Sequence, residues 1–193
     1  MNPAIHHYIQ RFAQPPQAQL DAFVAQGRTV LIGRNKSFVE AGEVCDKLAF
    51  IHQGIVRYHF ITPDGDDITK DFGFANWFAV AFTSALTKQP SQIFISTVTD
   101  VSLTVWPFEV LTRLFDVDIE WQRFGRRMAE MLYFRKEERE IEFLTDPAAV
   151  RYQRMLQRFP DEVARIPQHY LASYLGITPE SLSRIRKSID LHQ

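Results

Sequence analysis

A single cysteine, Cys45, stands in the 193 residues of this chain. One thiol closes no internal disulfide and cannot furnish a four-thiolate cluster or a structural zinc site. Free cysteines of this kind usually serve as small buried hydrophobes, so nothing in the sequence supports redox sensing at Cys45. Histidine is sparse too, with six in all. His52 and His59 stand isolated, and His6-His7 is too short for a metal tract. A metal cupin would need clustered histidines beside a carboxylate; the nearby Asp64, Asp66 and Asp67 lie on a turn that reads as solvated surface. No nucleophile–base motif or phosphate loop is present. The expectation is a protein that is not an enzyme and carries no catalytic residue, metal or cofactor.

Long apolar runs are lacking as well, and the opening MNPAIHHYIQRF has no signal-peptide core. A cytoplasmic protein without a membrane span is expected. Nor is there an excess of charge of one sign, since the formal net charge is −1. That balance excludes no partner, because a nucleic-acid-binding module need only be locally positive. Residues 151–193 hold seven Lys/Arg against four Asp/Glu, whereas the first 150 hold fifteen against nineteen. The asymmetry is mild and places the positive charge at the C-terminal end. Hydrophobic content of 46% and charged content of 23% are ordinary for a globular protein, and the length allows one or two domains with a sizeable core.

Two short helices are expected over 2–12 and 16–25, the second opened by Pro15-Pro16 and closed near Gly27. From Arg28 the pattern changes to β-rich runs with period-two character: TVLI, KSFVE, KLAFIHQ, IVRYHFIT, DDITKDF, QIFISTVT and VSLTVW. Gly33, Ala41-Gly42, Gln53-Gly54, Pro63-Asp64-Gly65 and Thr99-Asp100 punctuate them. Short strands at this spacing predict an antiparallel sandwich or barrel, with Pro63-Asp64-Gly65 as a hairpin turn. Trp77–Lys88 is apolar and fits a short helix over the barrel mouth. Phe72, Phe74, Trp77, Phe78, Phe82 and Phe94 crowd this region, with Ser91 and Gln92 beside them. They either fill the interior or line a pocket for an apolar or weakly polar effector.

A helical region is predicted from Pro107 to about Leu144. Within it Trp121, Phe124, Met128 and Met131 recur at 3-4-3 spacing, the seam of a dimer helix; the alternative is a helix packed only on its own domain. Thr145-Asp146-Pro147 reads as a hinge and helix start, with Asp146 as cap and Pro147 at the first helical position. Ala148–Phe159 forms the next helix, which Pro160 stops. The expected units are therefore 1–115, 116–145 and 146–193.

The last unit holds the most informative stretch, QHYLASYLGITPESLSRIRK, from Gln168 to Lys187. Ala172 is small where a second helix must approach. Gly176 can take the positive φ that ends a helix. Thr178-Pro179 restarts one as N-cap and first helical residue. Leu171, Leu175, Leu182, Ile185 and Ile189 supply apolar faces. These positions together are the pattern of a helix-turn-helix; an ordinary helical hairpin is the alternative. At about 100° per residue, Glu180, Arg184 and Lys187 oppose that apolar face, with Ser183 at its edge. Such side chains near a helix N-terminus suit base reading in the major groove, Glu accepting from cytosine and Arg forking onto guanine. A solvated Glu–Arg pair is the bland alternative. Thr178 and Ser181 belong to the same surface, and His169 and Arg186 are placed to meet phosphates.

Roll, long helix and helix-turn-helix in this order resemble the CRP/FNR family of bacterial transcription regulators, along nearly the whole chain. KSFVEAG (36–42) looks like the family's early roll turn. FIHQGIVR (50–57) looks like its hydrophobic-x-x-Gly-x-Val-Arg strand pair, and Glu180 to Arg184 like its recognition-helix run. The ending looks especially like the Bacteroidetes branch. The resemblance implies an α+β chain with a cyclic-nucleotide-binding-like β-roll, and the lack of any Glu or Arg between Asp71 and Asp100 predicts that this roll has lost cyclic AMP binding. It also implies a homodimer on the long helix and two recognition helices on an inverted-repeat DNA site. RNA polymerase is a further implied partner, and a small-molecule effector is left unidentified. A β-roll whose C-terminal helices bind protein instead of DNA is the alternative function. The chain departs from the family in four ways. Neither Glu nor Arg occurs between Asp71 and Asp100, where cyclic AMP binders hold their ligand. Pro179 stands at the first base-reading Arg. The sequence ends at Gln193, which predicts a domain without the family's β-wing. The oxygen-sensing members' cysteines are missing.

Overall fold

The computed structural model describes residues 3–190. Two helices, α1 (Pro3–Gln10) and α2 (Gln17–Ala25), lead into eight strands: β1 (Arg28–Ile32), β2 (Ser37–Val39), β3 (Lys47–Gln53), β4 (Val56–Ile61), β5 (Asp67–Gly73), β6 (Phe78–Ala79), β7 (Phe94–Thr97) and β8 (Val101–Pro107). A short helix α3 (Phe82–Thr87) separates β6 from β7. The C-terminal half is helical: α4 (Phe108–Phe115), α5 (Ile119–Thr145), α6 (Ala148–Arg158), α7 (Pro160–Arg165), α8 (Gln168–Leu175) and α9 (Pro179–Asp190). Among the described residues the strands form two four-stranded antiparallel sheets, ordered β1-β8-β3-β6 and β2-β7-β4-β5. The alternation and turn residues predict such an antiparallel sandwich, and the resemblance implies its β-roll form.

Inward side chains of the two sheets meet around Val39, Ala49, Ile51, Val56, Ile95 and Leu103, all buried. A second, aromatic core closes the other side of the first sheet. There Trp106 stacks on Phe23 at 4.8 Å and donates its indole N–H to the Phe23 carbonyl at 2.7 Å. Ile5, Tyr8, Ile9, Leu20, Phe50, Trp121 and Phe124 fill in around them. The N-terminal helices are therefore a lid on the roll.

The structure corrects several local expectations. The segment from Trp77 opens with a strand, β6, paired to β3 through Ala49 and Ala79, and turns helical only at Phe82. The predicted helix from Pro107 is broken. Pro107 ends β8, α4 stops at Phe115, and Asp118 caps a new helix by accepting from the Glu120 N–H at 2.8 Å. Asp146 closes α5 instead of opening α6, whose N-cap is Pro147. Pro160 does end α6, but it also starts α7, since a missing N–H costs nothing in a first helical turn. Residues 191–193, on which the absence of a wing turns, lie outside the described residues.

The dimer seam needs the largest correction. Trp121 is 0% and Phe124 1% exposed within the single chain, so neither has surface left to give to a second copy. The indole of Trp121 donates to Gln19 at 2.9 Å, and Met128 receives the Tyr8 hydroxyl at 3.4 Å. These three form the face by which α5 packs on its own roll. Met131 continues that face further along the helix, where it lines an open groove with Phe12, Phe134 and Glu138. Exposed Phe134 and Ile141 continue from it along α5. At about 100° per residue Phe134 and Ile141 are turned roughly a third of the helix away from Trp121 and Phe124, with Met131 between the two faces.

Candidate DNA-reading surface

The surface is built from one turn and the cap that follows it. Gly176 takes φ 68°, and the Ile177 N–H returns to the Ala172 carbonyl at 3.0 Å, the bond pattern of a glycine-closed helix end. An added Cβ at Gly176 would come within 2.8 Å of the Phe143 ring, so this position needs glycine for space as well as for φ. Thr178 then accepts the Ser181 N–H at 3.2 Å, capping α9 as its Thr-Pro start predicts. Gln168 clamps the two helix starts together by donating to the Pro179 carbonyl at 2.7 Å. Leu171, Ala172, Leu175 and Leu182 are buried between them. The hairpin is thereby held as a unit, and the polar side of α9 faces out.

Glu180, Arg184 and Lys187 are exposed on that side, as the helical projection expects. Ser181 and Ser183 are half-buried. The Ser181 hydroxyl receives Arg184 at 3.1 Å and lies 3.2 Å from the Thr178 hydroxyl, so Thr178 and Ser181 support the guanidinium from beneath. The Glu180 carboxyl is held below the usual range by hydrogen bonds from its own backbone N–H and from Thr178, with the Arg184 charge adding to them. A helix N-terminus favours that anion. The outcome is a carboxylate acceptor and a forked donor side by side.

Arg186 is placed differently from its expected role at phosphates. It is half-buried, donates to the Tyr152 hydroxyl at 3.0 Å and lies over that ring. Its guanidinium is occupied in holding α9 to α6. His169 is exposed, its ring 4.0 Å from that of Tyr170.

The expected effector residues do not converge. Phe72 and Phe74 face the helical domain, against Tyr174 and Phe159. Trp77 meets the same Phe159, with Arg135 over its ring at 4.0 Å. Phe78 belongs to the aromatic core with Tyr8, Phe50 and Trp106. Phe82 is part-exposed beside Phe108, and Phe94 stacks on His59. Ser91 turns its hydroxyl back on the Ile93 carbonyl, and Gln92 is exposed. Alternation along strands and the turn between β6 and α3 send neighbours in sequence to different faces, so Phe72, Phe74 and Trp77 pack together under the helical domain while the others lie apart from them.

A polar cluster missed in the sequence lies on the outer face of the second sheet. Arg57, 4% exposed at its side chain, forks onto Asp67 at 3.0 and 2.6 Å and reaches Thr69 at 3.2 Å. His59 bridges Asp67 and Ser96, both at 2.8 Å. The first helix of the hairpin covers this cluster. Tyr170 lies over the Arg57 guanidinium at 3.8 Å, and Ser173 accepts the Thr69 N–H at 2.8 Å. Asp67 is thus no idle surface acid. The available signal was Arg57 and His59 two apart on one strand, which puts two polar groups on one face.

No family profile matches this sequence, and no curated protein matches it either. Solved structures do match. FixK2 from Bradyrhizobium japonicum is 16% identical, with 86% of this chain and 85% of that one covered at a TM-score of 0.75. CLP, a c-di-GMP responsive global regulator from Xanthomonas campestris, is 15% identical over 92% and 93%, at 0.68. A Eubacterium rectale protein described as a candidate transcriptional regulator of the crp/fnr family is 14% identical over 92% and 84%, at 0.69. Roll, long helix and helix-turn-helix thus recur in the same order, and the chain has the fold of these regulators.

Proposed function

We propose that this chain is a sequence-specific DNA-binding transcription regulator of the CRP/FNR type, acting as a homodimer. The observation that carries the reading is the outward face of α9, where Glu180, Arg184 and Lys187 stand free of the packing that buries Leu182. Arg184 reads a guanine and Glu180 a neighbouring base, with Lys187 at the groove edge or backbone. His169 meets a phosphate. The second copy packs on the α5 stripe of Met131, Phe134 and Ile141, which would otherwise leave large apolar side chains in water. A two-fold axis there sets the recognition helices about 34 Å apart, one turn of DNA, and the target is an inverted repeat.

Genome-wide mapping of bound fragments, followed by gel shifts on the recovered sites, tests this. An inverted repeat bound far more tightly than random DNA is the expected result. Absence of any sequence-selective shift would sink the reading.

A further inference from the structure

We propose that Arg151 sets the spacing between half-sites that the protein accepts, by fixing the angle between the long helix and the DNA-reading hairpin. The inference rests on the DNA-binding homodimer reading above.

Three helices meet at this one side chain. From α6 its guanidinium donates to the Phe143 carbonyl at 3.1 Å and the Asp146 carbonyl at 2.7 Å, at the end of α5. Its other terminal nitrogen reaches the Leu175 carbonyl at 2.7 Å, at the end of α8. Helix C-termini leave carbonyls unpaired and carry partial negative charge, so one cation satisfies two of them at once. The Phe143 ring lies beneath the guanidinium at 4.7 Å and presses on Gly176 at the turn of the hairpin. The Arg151 Nε is buried with no hydrogen-bond partner among the described residues. That cost is accepted because turning Nε to a partner would take the fork off its carbonyls.

Outside this junction the same face of α6 continues as an ion-pair ladder. Arg154 pairs with Asp146 and Glu142, and Arg158 with Glu138 and Glu142. Both are partly solvated, at 39% and 47% exposure, so each is a weak and salt-sensitive brace. Arg151 differs in holding backbone on two other helices. The expected hinge at residues 145–147 is therefore a rigid elbow, and its angle determines how far each recognition helix lies from the two-fold axis.

The test uses the full-length protein and its mapped repeat, with the spacer between half-sites changed by one or two base pairs. Wild type should prefer one spacer by about tenfold or more, and Arg151→Lys should bring that to below about threefold, since a compact ammonium cannot span three carbonyls. Dimer mass and affinity for a single half-site should hold. An Arg151→Lys protein that keeps the spacer preference overturns the proposal, as does a wild type without one. Because the variant could lose stability, a second measurement uses the otherwise intact protein. A spin label at Ser188→Cys, with Cys45 only 2% exposed, reports the distance between the two α9 helices. A narrow distribution is expected and a broad one overturns the proposal. A wild type that binds no repeat at any spacer fails the DNA-binding reading instead, and the label distances still decide whether the elbow is rigid.

Discussion

At the scale of single residues, two arginines two positions apart on α9 have different work. Arg184 is exposed and is steadied by the Ser181 hydroxyl, whereas Arg186 is bound to Tyr152 inside the domain. Replacing Arg184 with Ala should cost about 1–3 kcal/mol at the cognate site and relax preference at one base position, leaving random DNA nearly unaffected. Binding titrations on a site library check this, and equal weakening on all sequences would remove Arg184 as a reader. Arg186→Ala should instead lower the melting temperature, by a free energy of about 1 kcal/mol for a lost part-buried hydrogen bond, and leave base preference alone. The outward direction of Glu180, Arg184 and Lys187 was legible from spacing because a helix of known pitch with one apolar side fixes the other. Arg186 was not, because its partner Tyr152 lies 34 residues away on another helix.

At the scale of elements, strands and turns were legible and faces were not always. The run KLAFIHQ is β3 residue for residue, because alternation and flanking turn residues act locally. In α5 the same kind of local pattern, Trp121-Phe124-Met128-Met131, identifies an apolar face without saying what covers it. The answer depended on α1 and α2, which fold back from the far end of the chain to cover Trp121. This separates two substitutions. Phe134→Asp, on the exposed stripe, should give monomers by sedimentation with an unchanged melting profile. Met128→Asp should bury an unpaired carboxylate under Tyr8 and destabilise the roll by about 3 kcal/mol or more. A Phe134→Asp protein that remains a full dimer would take this stripe out of consideration. The roll strands also speak to ligands. A cyclic nucleotide would bring a phosphate anion whose burial needs a paired cation. Lys88 is the sole cation between Asp71 and Asp100, and the aromatic residues there are spread over separate packing sites. Calorimetric titration with cyclic AMP should give no binding heat, and micromolar binding would overturn that expectation.

At the scale of the whole molecule, the C-terminal helical hairpin is docked on the roll through groups that titrate. Four elements contribute to the contact: β4 with Arg57 and His59, β5 with Asp67 and Thr69, β7 with Ser96, and α8 with Tyr170 and Ser173. Burial pushes the His59 imidazole below its ordinary value near 6.5, the Arg57 charge adds to this, and Asp67 opposes it without prevailing. Burial alone would raise the Asp67 carboxyl, but the hydrogen bond and charge of Arg57, joined by His59, hold it below its ordinary 3.8. Both folded-state values are therefore depressed, and both groups bind protons more readily when unfolded. Their stabilisation is complete above the unfolded values and is lost as pH falls, His59 first below about 6.5 and Asp67 below about 4. Denaturant midpoints should accordingly decline between pH 7.5 and 5.5. His52, whose value burial also lowers, contributes with the same sign, so the informative comparison is with His59→Gln, which should flatten part of the slope. Asp67→Asn is the stronger perturbation. It leaves the Arg57 guanidinium buried beneath Tyr170 without its counter-charge and should cost about 2–4 kcal/mol, the lower part of that range being expected for a carboxylate that is 41% exposed. If Asp67→Asn left both the midpoint and its pH slope unchanged, the cluster would be a solvated surface network, and the docking of α8 on the roll would have to rest on Phe72, Phe74 and their aromatic partners alone.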